Sequence, residues 1–167
     1  MKNKNLSFMT QAAMIAAIYV VLTYIFAPFS FGEVQVRISE ALTILPIFTP
    51  AAIPGLFAGC LIGNILGGAI LPDIVFGSIA TLIGAFFTWK LREQKPVVAT
   101  FPPIISNIII VPFVLRYGYG VTLPIPFMML TVGIGEVISC GVLGMILYGA
   151  LNKYRYAIFG KAFETGK

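Results

Sequence analysis

Apolar residues run along this chain in long blocks, broken by prolines, glycines and short charged patches rather than by regular alternation. Six blocks emerge, predicting helices at about 7–27, 38–49, 52–71, 73–91, 97–115 and 124–151. No charge occurs between residues 41 and 72, and there Pro46, Pro50, Pro54 and Gly55 divide a short second helix from a third. Proline is disfavoured inside helices, so such a cluster marks a break between elements. Helix one is predicted to stop at Pro28, and helix five to be entered through Pro102 and Pro103. Between helices one and two, the segment PFSFGEVQVRISEA holds Glu33, Arg37 and Glu40, and its mixture of glycine, aromatics and alternating residues predicts a structured outer loop.

Composition turns these helices into membrane spans. The 167 residues are 59% hydrophobic and 10% charged, a balance that would leave a soluble protein with an apolar surface. Mean hydropathy is +0.97. A helix needs about 20 residues to cross a hydrocarbon core of about 30 Å, so the length suits about six crossings. The expected architecture is an all-α integral membrane protein, a compact six-transmembrane-helix bundle forming a single membrane domain over residues 1–167. The N-terminal apolar run is too long for a signal peptide and lacks its cleavage pattern, so a retained helix is expected. No internal inverted repeat is visible.

Charge gives the orientation. Lys2 and Lys4 precede helix one, Lys90, Arg92 and Lys95 follow helix four, and Lys153, Arg155, Lys161 and Lys167 follow helix six. With six crossings all three clusters fall on one side, which the positive-inside rule makes cytoplasmic, both termini included. Arg37 and Arg116 lie outside this partition. The net charge of +5 is therefore a topology signal; no basic patch interleaved with aromatics points to nucleic acid.

Glu136 is the residue that changes the picture. It lies in VTLPIPFMMLTVGIGEVISCGVLGMILYGAL, which holds no other charge. A charged side chain at mid-bilayer costs at least about 2.5–3.5 kcal/mol and by default marks a functional site. Ten residues past Pro126 at about 1.5 Å each, it stands about 15 Å down helix six. Gly133, Gly135 and Gly141 leave room there for a ligand or a close neighbour. The bland alternative is a structural acid, protonated or bonded to Asn107 or to backbone. Asn107, at the midpoint of helix five, reads either as ligand contact or as interhelical packing worth about 0.6 kcal/mol. Asn64 sits in GCLIGNILGG, where glycines equally suit close packing.

Other candidates carry stronger structural alternatives. Asp73 follows Pro72 at a helix start, where capping and the helix dipole favour an anion. Arg37 and Glu40 on the outer loop, where charge is inexpensive, either gate a pocket or tie the loop down. In TQAAMIAAIY, Ala12 with Ala16 and Ala13 with Ala17 form a ridge of small side chains, suited to packing within the bundle or to docking another membrane subunit. Cys60 and Cys140 read as buried small hydrophobes. Histidine is absent and no cysteine cluster exists, so no metal site is expected. The tail GKAFETGK imitates a phosphate-binding loop, but its spacing is wrong, so no nucleotide site or cofactor is expected.

The stretch FGEVQVRISEALTILPIFTPAAIPGLFAGCLIGNIL, with the basic N-terminus, the alanine-rich first helix and the Gly135–Glu136 pair, resembles the QueT family of substrate-binding S-components of energy-coupling-factor (ECF) transporters. The resemblance implies capture of a 7-deazaguanine queuosine precursor from outside the bacterial cell membrane. It also implies docking on a transmembrane coupling subunit with two ATPase subunits, through Ala12/Ala16 or Ala13/Ala17. Glu136 would accept the ring N–H and exocyclic amine side by side, and Asn107 would read the neighbouring carbonyl. Asn64 and Arg37 are further candidates, residues 29–40 would close over the pocket, and Phe31, Phe113 and Tyr117 would stack on the base, by analogy worth about 1–3 kcal/mol. An aminomethyl form would bring a cation for Asp73 or Glu33 to oppose. Two other readings compete: a stand-alone transporter coupling protons through Glu136, and a membrane enzyme. The latter is disfavoured by the missing histidine, catalytic acid pair and metal motif.

Overall fold

The computed structural model describes residues 2–26 and 36–164; the side chains of residues 2–4, 156 and 160–164 lie outside the description. Every described element is helical. They are α1 (Lys2–Ile25), α2 (Ile38–Ile47), α3 (Ala52–Leu66), α4 (Leu71–Lys90), α5 (Pro96–Phe113), α6 (Ile125–Glu136) and α7 (Gly144–Glu164). A π-helical turn, Val114–Gly118, extends α5, and a π-helical segment, Val137–Leu143, joins α6 to α7 without a break. Four stretches are long and apolar enough to cross a membrane: Asn5–Ile25, Leu71–Lys90, Pro96–Gly118 and Ile125–Arg155. The helices at Ile38–Ile47 and Ala52–Leu66 are shorter.

α2 is a 3-10 helix of ten residues, and Ser39 through Pro46 are all buried. It packs against α1, α4, α7 and the π segment, so it threads the middle of the bundle. Three residues per turn put every third side chain in one row. Leu42, Leu45 and Phe48 accordingly join Ile15, Tyr19, Leu56 and Phe159 in the apolar core. The Glu40–Thr43 row turns instead to Cys140 of the π segment, with Thr43 Oγ1 3.4 Å from its sulfur. One short helix therefore supplies both a greasy edge and a polar one. A rise of about 2.0 Å per residue also stretches ten residues over about 20 Å.

Close backbone approach defines two seams. A Cβ on Gly55 would lie 2.7 Å from the Ala12 carbonyl oxygen, and one on Gly59 would lie 2.7 Å from Tyr19 Cβ and 3.1 Å from Ala16 Cα. α1 thus lies against the glycine side of α3 with Ala12 and Ala16 turned inward. At the other seam a Cβ on Gly84 would lie 2.6 Å from Pro103 Cα, joining α4 to α5.

Helix five corrects an expectation. It begins at Pro96, and Pro102 and Pro103 lie inside it rather than at its entrance. Proline at 103 leaves the carbonyl of Ala99, four residues earlier, without its helical donor. Thr88 of α4 supplies one, its hydroxyl donating to Ala99 O at 2.8 Å. Such replacement of lost backbone bonds is what lets a membrane helix carry proline. Ser106 Oγ also reaches Ala80 O of α4 at 3.0 Å, a second tie between the two helices and not a proline rescue. The last helix also runs past its expected end at residue 151, to Glu164.

Candidate functional site

A string of polar side chains runs through the interior, drawn from almost every helix. Glu40 of α2 is its centre and is 1% exposed. Tyr19 of α1 donates its phenol to Glu40 Oε1. Thr81 of α4 lies 3.5 Å from that oxygen and 3.4 Å from Cys60 Sγ on α3. Below it, Cys140 donates to Glu136 Oε2 at 3.1 Å and lies 3.6 Å from the Glu40 carbonyl. Asn107 of α5 stands beside the same Glu136 carboxylate.

Above Glu40 the string continues through Asn64. Its amide nitrogen lies 3.7 Å from Cys60 Sγ and donates to the Asp73 carbonyl at 3.3 Å. Arg37 donates to Asn64 Oδ1 at 2.5 Å. Gly77 makes this corner possible, since a Cβ there would lie 3.1 Å from Asp73 Oδ1 and 3.3 Å from Asn64 Nδ2. Asp73 Oδ2 accepts a hydrogen bond from Tyr119 at 2.9 Å, tying the segment after the π turn to the start of α4. Burial, and Asp73 beside it, push the Tyr119 phenol up from its ordinary pKa. Thr23 and Ser39, 2.8 Å apart, complete the joint between α1 and α2.

The structure therefore gathers Glu136, Asn107, Asn64, Asp73 and Arg37 into one connected region. All five are buried, Arg37 being the most exposed at 8%. Asp73 does not act as a capping side chain: Ile70 holds the cap position and no side chain bonds the helix end. The outer-loop reading of Arg37 and Glu40 is corrected, because both lie inside the bundle where charge is costly. Gly133 is not open ligand space either, since Ile108 Cδ1 lies 3.1 Å from where its Cβ would be.

Phe113 and Tyr117 stand apart from the string. They are 45% and 78% exposed. Their rings stack on each other at 6.4 Å. With Pro72, Phe76 and Ile109 they border an outward groove of about 460 Å³, lined chiefly by apolar side chains. Phe31 and Glu33, with residues 29–35 of the expected lid, fall outside the described residues. On α1, Ala13 and Ala17 are exposed among Met9, Met14, Ile18 and Val21, on the side away from the α3 seam.

Glu40 was expected only as a gate or tie of the outer loop, and Tyr19, Thr43, Thr81 and the two thiols are contributors that the site expectation lacked. Their signal was present as hydroxyls and sulfurs inside charge-free stretches, but only the packing of α2 shows that they meet. A carboxylate oxygen from each of Glu40 and Glu136 and the Cys140 sulfur lie within 4.8 Å of one another. Among the described residues this group could take a cation, mixing two hard oxygens with a soft sulfur. Two unit charges at such a separation repel by about 3.5 kcal/mol or more at an effective dielectric of 20. A proton, a metal ion or a ligand's positive end would relieve that repulsion.

The sequence profile of the QueT transporter family matches residues 9–153. The chain belongs to the QueT transporter family. The curated queuosine precursor transporter QueT of Lactococcus lactis subsp. cremoris (strain MG1363) is 33% identical over 84 residues, covering 49% of this chain and 48% of the relative. The matched segment spans about half the length of that relative. No solved structure matches the chain. The family is one of transporters, and the four long apolar stretches suit a multi-pass membrane protein.

Proposed function

We propose that this protein is the membrane-embedded capture subunit of an ATP-driven importer, taking a 7-deazaguanine queuosine precursor from outside. The observation that carries the reading is the buried string from Glu136 through Glu40 and Asn64 to Asp73, set in otherwise apolar helices. Polar groups inside a membrane bundle are costly, and they mark solute pathways by default. The queuosine precursor named for the Lactococcus relative fits this chemistry. A carboxylate such as Glu136 accepts two adjacent N–H groups of a deazaguanine edge, and an amide such as Asn107 complements the carbonyl beside them.

In this reading the chain crosses the membrane six times with both termini cytoplasmic. Phe48 stacks on Tyr148 and Phe159 near the basic end of α7, while Arg37, Asn64, Asp73 and Tyr119 meet at the far end of the bundle. That separation supports a cytoplasmic end rich in Lys and Arg and an outer end through which solute enters. A transmembrane coupling subunit and two ATPase subunits supply the energy. Ala13 and Ala17, exposed on α1, form the docking face, while Ala12 and Ala16 serve the seam with α3.

The test is to purify the chain from cells, release its bound small molecules by heat and identify them by mass spectrometry. A 7-deazaguanine base is the expected finding; an unrelated solute held stoichiometrically would contradict the reading. The proximity of Glu40 to Glu136 favours one alternative, a stand-alone proton-coupled transporter. That version requires uptake to stop when the proton gradient collapses and to continue after ATP depletion.

A further inference from the structure

The backbones of α4 and α5 meet at Gly84 and Pro103, and large exposed side chains flank that seam. Ile83 and Phe87 of α4, with Val98, Phe101 and Ile105 of α5, wall a furrow of about 510 Å³ on the outside of the bundle. Its lining holds one hydroxyl, Ser106, already committed to the carbonyls of Ala80 and Pro103. From Val98 to Ile110, at about 1.5 Å per residue, the furrow runs about 18 Å along α5. One leaflet of a hydrocarbon core about 30 Å thick is about 15 Å deep. The end beside Leu91 and Val98 is basic: Lys90, Arg92 and Lys95 flank it in sequence, with Glu93 as the one acid among them. Lys90 and Lys95 are exposed. Arg92 lays its guanidinium over the Trp89 ring, 4.6 Å from the centroid, and donates to the Trp89 carbonyl at 3.3 Å. Trp89 is the chain's one tryptophan, a residue that gathers at headgroup level.

We propose that this furrow seats one acyl chain of an anionic phospholipid of the cytoplasmic leaflet, with the lipid phosphate among Lys90, Arg92 and Lys95. The inference goes beyond the capture reading and is independent of the captured solute; it takes from that reading only the orientation of the bundle. Basic clusters at the cytoplasmic ends of packed membrane helices recognise acidic headgroups in this way. Three cations against one acid favour an anionic headgroup over a zwitterionic one. The walls also favour a lipid over a partner's helix. Helices approach closely across small residues, and the small residues of this face, Ala80 and Gly84, are already used in the α4–α5 seam. What remains at the surface is Phe, Ile and Val, which suit a thin, flexible hydrocarbon chain lying between them.

Native mass spectrometry of the full chain, released from vesicles of equal parts phosphatidylglycerol and phosphatidylcholine, tests this by the lipid that stays bound. Wild type is expected to retain one phospholipid, with phosphatidylglycerol favoured by at least about fivefold, the order that one lysine near the surface supplies. Lys90→Gln with Lys95→Gln should bring that preference close to unity. Ile105→Trp, at a half-exposed position in the furrow, should remove the retained lipid while leaving the basic loop untouched. Equal retention of the two lipids by wild type would overturn the proposal. So would a preference that survives the lysine pair, or a lipid retained undiminished by Ile105→Trp. Loss of a co-purifying coupling subunit from Ile105→Trp, with lipid retention unchanged, would give the furrow to that subunit instead. Should Ile105→Trp fail to fold, as judged by gel filtration, Trp89 fluorescence in the wild-type chain decides. Chain-brominated phosphatidylglycerol should then quench it more strongly than phosphatidylcholine brominated alike, and equal quenching would overturn the site.

Discussion

Glu40 shows how strongly the interior depends on single donors. Its Oε1 has the Tyr19 hydroxyl and its Oε2 has none, so removing Tyr19 Oη takes away the best hydrogen bond the carboxylate has. An orphaned buried polar group costs about 1–3 kcal/mol, and more if charged. Tyr19→Phe is thus expected to lower the melting temperature in detergent clearly. Tyr117→Phe, at a 78% exposed ring, should leave it unchanged. Equal melting of the two variants would mean that the Tyr19–Glu40 bond contributes nothing. Asn64→Ala should be as damaging as Tyr19→Phe, because Asn64 accepts from Arg37 and donates to the Asp73 carbonyl.

Among the helices, stability rests on backbones brought close. Gly84 faces Pro103 with no space for a methyl group, and both obstructing atoms nearest to it belong to the proline itself. Overpacking of this kind typically costs about 1–3 kcal/mol. Gly84→Ala is expected to destabilise by that order in a detergent unfolding assay, whereas Gly149→Ala, with nothing within 4 Å, should be neutral or slightly stabilising. A neutral Gly84→Ala would show that the α4–α5 seam yields more easily than described. The prolines made these elements legible from sequence: Pro46, Pro50 and Pro54 mark the α2–α3 boundary, and the structure breaks there, between Ile47 and Ala52. Pro102 and Pro103 misled, because the donor that rescues Ala99 O comes from Thr88, eleven residues away in a different helix. The 3-10 winding of α2 was equally hidden. It decides that Glu40 and Thr43 share a row, and hydropathy cannot separate a 3-10 helix from an α-helix over ten residues. Glu136 and Asn107 were readable as polar groups in apolar helices. Glu40 was not, since beside Arg37 it looked like ordinary loop charge.

The whole molecule presents two different alanine faces on one helix. Ala12 and Ala16 are occupied by α3, while Ala13 and Ala17 stand exposed among large apolar side chains. Small residues on a lipid-facing helix allow another helix to approach closely. If α1 docks the proposed coupling subunit, Ala13→Leu with Ala17→Leu is expected to abolish co-purification with it while leaving ligand binding unchanged. Recovery of an intact complex from that double variant would remove α1 as the docking face. Ala16→Leu should instead disturb the bundle itself, seen as a lower melting temperature.

The account stands most directly on Glu136 as the group that grips the ligand. The measurement is titration calorimetry of 7-deazaguanine binding to wild type and Glu136→Gln in detergent, with melting curves alongside. A hydrogen bond to a charged group contributes about 1.5–3 kcal/mol, so the variant is expected to bind about ten- to a hundredfold more weakly while melting within a few degrees of wild type. Unchanged affinity in a folded Glu136→Gln protein would contradict the account.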